Sequence, residues 1–248
     1  MLYFQDFGTL LYQFGDEKDT TIFQDISRYA DVIDQVKDDV SFLNYHTIQE
    51  GFRPDQVSLQ LYNSPNYYWT FYLLNDDIRL QGWPLPNGEL LEYIKKNYPN
   101  TTITVREPFA TKFKVGQTVT GGTSGASGVI LRRNLNLGHI VIEGDKSFTS
   151  SGELLQSTNS SGVVETVTSV SSSKEYLAAR HYIDSSSAIV DLSIDSSGSA
   201  TPGHLLPPGA LLTERTNEET EINVNRSLRT IKVIKPSLMP TLVSSYKR

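Results

Sequence analysis

Apolar residues recur at alternating intervals of four and three through Ile22, Ile26, Tyr29, Ile33, Val36 and Val40, a spacing that predicts an amphipathic helix over residues 21–40. Thr21 and Gln24 have capping-box spacing at its start. Asp25, Asp31, Asp34, Asp38 and Asp39 fall on the other, solvated side. The stripe is narrow, and a narrow stripe of this period also suits pairing with a helix of another chain. Ahead of it, Tyr3, Phe4, Phe7, Leu10, Leu11, Tyr12 and Phe14 crowd together before Gly15-Asp16. Leaving such a segment in water costs roughly 25 cal/mol per Å² of apolar surface, so it is expected to dock on its own body or on a partner.

The pattern then shortens. Tyr45-His46-Thr47-Ile48 alternates as a strand does and stops at Gly51, which accepts the backbone angles of a tight turn. Pro54 suits the first turn of a helix, where its missing N–H is not needed, and Val57 and Leu61 share a face. A second helix start follows at Ser64-Pro65 and opens Asn66 to Leu74. Five of the six residues from Tyr67 to Tyr72 are aromatic. After Ile78, the stretch Arg79 to Gly88, with two prolines and two glycines, predicts a loop, leading to a helix from Glu89 to Asn97 with Leu90, Leu91 and Ile94 inward and Pro99 ending it.

From Thr101 the period turns to two, with Ile103 and Val105, and past Pro108 the composition shifts to Gly, Ser, Thr and Val. Residues 109–170 contain a weak echo: Phe113, Gly116 and Val119 before Ser127-Gly128-Val129, then Phe148, Gly152 and Leu154 before Ser161-Gly162-Val163. Two related hairpins packed face to face would produce it. His139 to Asp145 reads as a strand ending in a turn, and Glu175 to Arg180 as a strand or short helical turn. Ile189 to Ile194 alternates as a strand, Asp195 to Pro208 is a loop, and Leu211-Leu212-Thr213-Glu214 is a further strand. Thr230-Ile231-Lys232-Val233-Ile234 ends the strands at Pro236, and Ser237 caps a short helix with Leu238, Leu242 and Tyr246 four apart.

Composition narrows the functions. The chain has 248 residues, 38% of them apolar, enough for a real core, and no apolar run near the ~20 residues that span a bilayer. Its opening lacks the basic and apolar segments of a secretory leader, so none is expected. There is no cysteine, and the four histidines have no metal-type spacing, so no metal or cofactor is expected. A net charge of −6 argues against binding nucleic acid through phosphate neutralisation.

The glycine-rich run Gly121 to Gly128 lacks the Lys-Ser or Lys-Thr of a phosphate loop and continues as strand, so it reads as a flexible β turn. The carboxylate pairs Glu89/Glu92, Asp76/Asp77 and Glu143/Asp145 sit at helix starts and turns, where acidic residues belong on local grounds. No acid, base or nucleophile stands beside a relay partner, and no enzyme is expected.

Tyr45-x-x-Ile48-x-x-Gly51, Asp55, Val57, Tyr62, Leu73-Leu74-Asn75 and Ile78 resemble the LysM module, a small βααβ fold whose usual members bind N-acetylglucosamine polymers. Where that family has Gly-Asp-Ser/Thr, this chain has Gly51-Phe52-Arg53-Pro54-Asp55. A narrower resemblance rests on Arg53-Pro54-Asp55, Tyr62-Asn63-x-Pro65-x-Tyr67-Tyr68-Trp69, Asn75-Asp76 and Arg229 to Ile234. These look like a baseplate wedge subunit of T-even-type, contractile-tailed bacteriophages, a family with a LysM-like core used for assembly. The resemblance covers residues 1–97 and 217–248.

Residue pattern and resemblance together predict an α+β fold with an N-terminal helix (1–44), a LysM-like βααβ core with its following helix (45–105), an inserted small antiparallel β domain (106–172) that is read from the residues and lies outside the resemblance, and C-terminal strands with a short helix (173–248). The resemblance implies a structural subunit in the virion tail baseplate, assembled in host cytoplasm, holding neighbouring wedge proteins together. The sheath-initiator-like subunit and the wedge ring or bundle subunits would be the partners, with no nucleic acid and no membrane. Interface candidates are then Arg53, Pro54, Tyr67, Tyr68, Trp69, Phe71, Tyr72, Asn75 and Asp76, with aromatic rings as the main anchors. The alternative is a glycan-binding module for peptidoglycan or chitin, using Phe52, Arg53, Asn75 and Asp77 in the two loops at one end of the unit.

Overall fold

A computed structural model describes residues 8–16, 19–25, 36–37, 39–190 and 212–246. It is a mixed α+β fold with several small antiparallel sheets and six α-helices among the described residues. The chain divides into two compact units, residues 1–87 with 224–248, and residues 88–223.

The first unit opens with a hairpin, β1 (Thr9–Gln13) paired antiparallel to β2 (Thr20–Gln24) with Leu11 opposite Ile22 and Leu10 opposite Phe23. This corrects the helix expected to begin at Thr21. The β-branched run Thr20-Thr21-Ile22 prefers extended backbone, and with Gly15 at positive φ in the connecting turn it finds a strand partner instead of a helical turn. Residues 26–35 and 38 of that expected helix lie outside the described residues. Val36 is helical and buried, whereas Val40 stands exposed in a turn.

The rest of the unit is built around one long-range strand pair. β3 (Leu43–Thr47) and β13 (Thr230–Ile234) run antiparallel, with Tyr45 opposite Lys232. After β3 come α1 (Pro54–Tyr62), a 3-10 turn (Pro65–Tyr67), α2 (Trp69–Leu74) and α3 (Asp76–Gln81), and the whole second unit intervenes in sequence before β13. The second expected helix is thus broken into a 3-10 turn and α2, and α3 occupies part of the expected loop. Helix α2 is only six residues long but buries Trp69, Thr70, Phe71 and Leu74. Trp69 and Leu74 join a cluster with Val36, Ile234, Met239, Leu242 and Val243, while Phe71 joins another with Ile48, Val57, Ile78, Ile231 and Val233. Two apolar cores therefore meet along α2. The C-terminal helix α6 (Met239–Tyr246) supplies one of them.

In the second unit, α4 (Asn87–Asn97) buries Leu90 and Ile94, but Leu91 is 39% exposed rather than inward. Six strands then close into a barrel: β4 (Thr101–Val105), β5 (Thr118–Gly121), β6 (Ser127–Asn134), β7 (His139–Ile142), β8 (Leu154–Thr158) and β9 (Val164–Lys174), in the order β4-β7-β6-β5-β8-β9. Ile103, Val119, Ile130, Ile140, Ile142, Leu155 and Val167 fill it, with Phe109, Phe113 and Phe148 in the same cluster. Closure removes the free edges that a small open sheet would expose.

The internal echo is realised by the β5–β6 and β8–β9 hairpins, joined edge to edge through β5–β8 and not stacked as separate faces. Matching bonds mark it. Gly116 N–H donates to the Ile130 carbonyl (2.9 Å) and Gly152 N–H to the Ser169 carbonyl (3.0 Å).

A 3-10 turn (Glu175–Leu177) leads to a three-stranded sheet, β11 (Ile189–Val190), β10 (Ala179–Ile183) and β12 (Thr213–Thr216), in that order. Helix α5 (Asn217–Ser227) follows. The loop expected between Asp195 and Pro208, and the strand beyond Val190, lie outside the described residues.

Candidate functional site

The rings of the aromatic unit fall into two classes by exposure. Trp69 (6% exposed) and Phe71 (0%) are enclosed, which takes both out of the set a partner can touch. Tyr67, Tyr68 and Tyr72 are half-buried. Tyr62 stacks on Phe71 at 6.1 Å and donates its hydroxyl to the Ile234 carbonyl at 3.0 Å. Desolvation raises the Tyr62 phenol well above its ordinary value.

The polar candidates are mostly engaged within their own unit. Arg53 stands at the N-terminus of α1, where its N–H donates to Gln56 Oε1 (2.9 Å) and its guanidinium pairs with Asp55 (2.6 Å). Pro54 is the first helical residue, half-buried. Asp76 receives Lys37 Nζ at 2.7 Å and Arg79 at 2.8 Å, and the Lys37 hydrogen bond leads the forces holding its carboxyl below the usual range. Phe52 is half-buried and its carbonyl accepts Trp83 Nε1 at 2.7 Å, while Asp77 is exposed.

Asn75 has the most specific role. Its side chain accepts the Lys232 N–H at 2.7 Å and donates Nδ2 to the Lys232 carbonyl at 2.9 Å and to the Phe71 carbonyl at 2.8 Å. The amide thereby occupies one outer-edge position of β13. Asn225 does the same for Leu85, accepting its N–H (2.7 Å) and donating to its carbonyl (3.0 Å).

Sequence reasoning expected the apolar segment before Gly15 to dock but named none of its residues, nor Tyr45, Leu80 or Leu59, as site candidates. Leu11 (66%), Ile22 (67%), Leu10, Tyr12, Phe14 and Phe23 of the hairpin are exposed on both of its faces. Tyr45 (75%), Leu80 (79%) and Leu59 also face out. The crowding of apolar residues before Gly15 was the available signal; Tyr45 gave none, because a tyrosine in an alternating run reads equally well as core.

In the barrel, the glycine-rich loop has an anion, supplied by the protein itself. The Glu153 carboxylate, 1% exposed, accepts the N–H groups of Thr123 (3.0 Å), Ser124 (2.6 Å) and Thr149 (2.8 Å). Burial alone would raise its pKa, but these donors and the Ser124 hydroxyl together hold it below the ordinary 4.5. A Cβ on Gly121 would lie 2.3 Å from Glu153 Oε1, so glycine there makes room for the carboxylate. Glu165 plays the matching part in the other hairpin, accepting Phe113 N–H (2.8 Å) and Asn159 Nδ2 (3.1 Å).

A cleft of about 480 Å³ on the outer wall of the barrel is lined in part by Arg132, His139, Glu175, Arg180 and Asn217. Buried Glu175 pairs with Arg132 and accepts the Asn100 N–H at 3.1 Å. His139 is pushed down to about 4 by burial and by Arg106, so it is neutral and a weak base at ordinary pH. Among the described residues no group of acidic and histidine side chains is arranged to hold a metal ion, and no helix is long and apolar enough to cross a membrane. No family model matches the chain, and no curated protein matches it either.

Proposed function

We propose that this chain is a structural subunit of a contractile-tail baseplate wedge, with a LysM-like core that holds neighbouring wedge proteins together and no catalytic role. The β1–β2 hairpin carries the reading. A lone two-stranded hairpin is marginal in water, and this one bears apolar side chains on both faces, more than an isolated hairpin can hide. Burial against another protein relieves that cost.

The pairing of β3 with β13 around short helices is compatible with a LysM-like core, although its second strand comes from residues 230–234, beyond the barrel in sequence, and not from within residues 45–105. The half-buried Tyr67, Tyr68 and Tyr72 are the rings left for contact, since Trp69 and Phe71 are spent on the core. The same geometry favours assembly over glycan binding. Of the glycan candidates, Asn75 is tied to β13 and Phe52 is partly covered, while Arg53, paired with Asp55, and Asp77 are exposed.

The test is the protein content of contractile tails purified from the phage that encodes this chain. Expected is a fixed number of copies per baseplate, with labelled antibody at the tail tip; absence from particles that carry all other tail proteins would overturn the reading. A chitin or peptidoglycan pull-down should leave the chain in the supernatant.

A further inference from the structure

The two outer edges of the β3–β13 sheet are treated differently. On β13 the Asn75 amide covers the N–H and carbonyl of Lys232, so those groups point away from β3. Ile231 and Val233 must then turn towards β3, facing His46 and Asn44. The flanking bonds agree: Lys235 N–H reaches the Phe42 carbonyl (2.9 Å) and Ile48 N–H the Arg229 carbonyl (2.8 Å). By alternation, the N–H and carbonyl groups of Leu43, Tyr45 and Thr47 point outward from β3, and among the described residues nothing accepts from or donates to them there.

Among the described residues this edge lacks the usual guards. Leu43-Asn44-Tyr45-His46-Thr47 has no Lys, Glu, Pro or bulge, and Tyr45 at its centre is 75% exposed. From this asymmetry we infer that β3 is a docking edge for an extended segment of a partner protein, which adds as a third strand. Only another extended backbone matches alternating donors and acceptors over five residues, about 17 Å of strand. Side chains then set the choice. A β-branched or aromatic residue of the segment would sit beside Tyr45 on the face it shares with Lys232.

Charge adds a preference. Lys232 stands across from Tyr45, and the Lys235 ammonium reaches the Ser41 carbonyl beside the start of the strand. Asp39 is turned back on its own loop, accepting the Ser41 N–H at 2.8 Å. A segment bearing Asp or Glu is therefore favoured over a basic one. The inference rests on the assembly reading for the existence of a protein partner, and it names the place and the kind of contact.

The experiment places the photoreactive p-benzoylphenylalanine at position 45 in the full chain, co-produced with the proteins encoded beside it, and maps crosslinks by mass spectrometry. Amide exchange is followed in parallel on the wild-type chain, free and in the complex. Expected are crosslinks confined to one short segment of one other protein, with the Tyr45 and Thr47 amides exchanging freely in the isolated chain and slowed at least tenfold in the complex. Tyr45→Pro removes the outward N–H together with the exposed ring and Thr47→Pro removes an outward N–H alone; both should keep the thermal midpoint while weakening or abolishing capture, whereas Asn44→Pro breaks the bond to β13 and should unfold the unit, confirming which way the strand faces.

Protection of Tyr45 in the free chain, capture by Tyr45→Pro equal to wild type, crosslinks to a helix, to a second copy or to nothing, each overturns the inference. A chain found in baseplates with Tyr45 still exchanging freely would sink the docking edge and leave the assembly reading. A strand captured from a protein that belongs to no tail would do the reverse.

Discussion

Asn75 and Lys232 are far apart in sequence, yet the side-chain amide of one pairs with both backbone groups of the other, at 2.7 and 2.9 Å. The side chain stands in for a strand residue. Asn75→Ala removes these two bonds and the one to the Phe71 carbonyl, and should destabilise the first unit by roughly 2–3 kcal/mol in urea unfolding. Asn75→Asp keeps the acceptor for the Lys232 N–H but sets oxygen against two carbonyls. Its loss should be larger at pH 7 and partly recovered below pH 4, where the carboxyl takes up a proton.

Acid should loosen the barrel. Glu153 and Glu165 both titrate below the ordinary carboxyl value of 4.5; for Glu165 the Phe113 N–H is the leading cause. A carboxylate more acidic in the folded than in the unfolded chain adds stability that is complete above the unfolded pKa and fades as pH falls through the folded one. Thermal midpoints should be flat from pH 7 to about 5 and drop below about 4.5. Glu153→Gln should remove much of that slope and lower stability by about 2 kcal/mol, because an NH2 group would face backbone donors.

Two glycines of the barrel are predicted not to tolerate alanine. A Cβ on Gly138, at φ +67°, would lie 2.1 Å from the Val105 carbonyl oxygen, a backbone atom that cannot swing aside. Gly138→Ala should cost at least ~2 kcal/mol. Gly121→Ala collides with the Glu153 and Ser124 side chains and should cost less in a Glu153→Ala background, which a double-mutant cycle measures.

Phe71→Ala and Tyr68→Ala separate core from surface. Phe71 is fully enclosed, and its truncation should cost ~3–5 kcal/mol by denaturant unfolding. Tyr68 is half-buried; its truncation should cost under about 1.5 kcal/mol while weakening incorporation into particles.

The hairpin gives the sharpest surface test. Leu11 and Ile22 face each other across the strands and are 66% and 67% exposed. Leu11→Ser with Ile22→Ser should leave the unfolding free energy within about 0.5 kcal/mol of wild type. It should raise solubility and impair particle assembly, read by the yield of complete tails.

Where period and local chemistry agreed, the sequence was legible. Thr230 to Ile234 alternates, is β-branched and stops before Pro236, and it forms β13 over those same residues; the helix ending before Pro99 and the strand at Thr101 are equally plain. The helix start at Thr21 failed because residues 20–24 satisfy a capping spacing and a strand composition at once, and the partner strand at Thr9–Gln13 decides between them. Barrel closure was hidden because β4 and β9 meet across a long stretch of chain and share no local signal. Among the candidate site residues, the aromatic run marked the right helix but could not say which rings it buries. Phe71 was taken for a contact residue; six residues of helix between two cores leave it no outward direction.

The pairing of β3 with β13 also dictates an order of birth. The barrel's six strands are all synthesised by Lys174 and can close while translation continues, whereas Leu43 to Thr47 must wait until Ile234 has left the ribosome before meeting their partner. Until then the nascent chain carries a strand with two unpaired edges, and a truncation between Lys174 and Thr230 would release a chain with every barrel strand present and β3 without its partner.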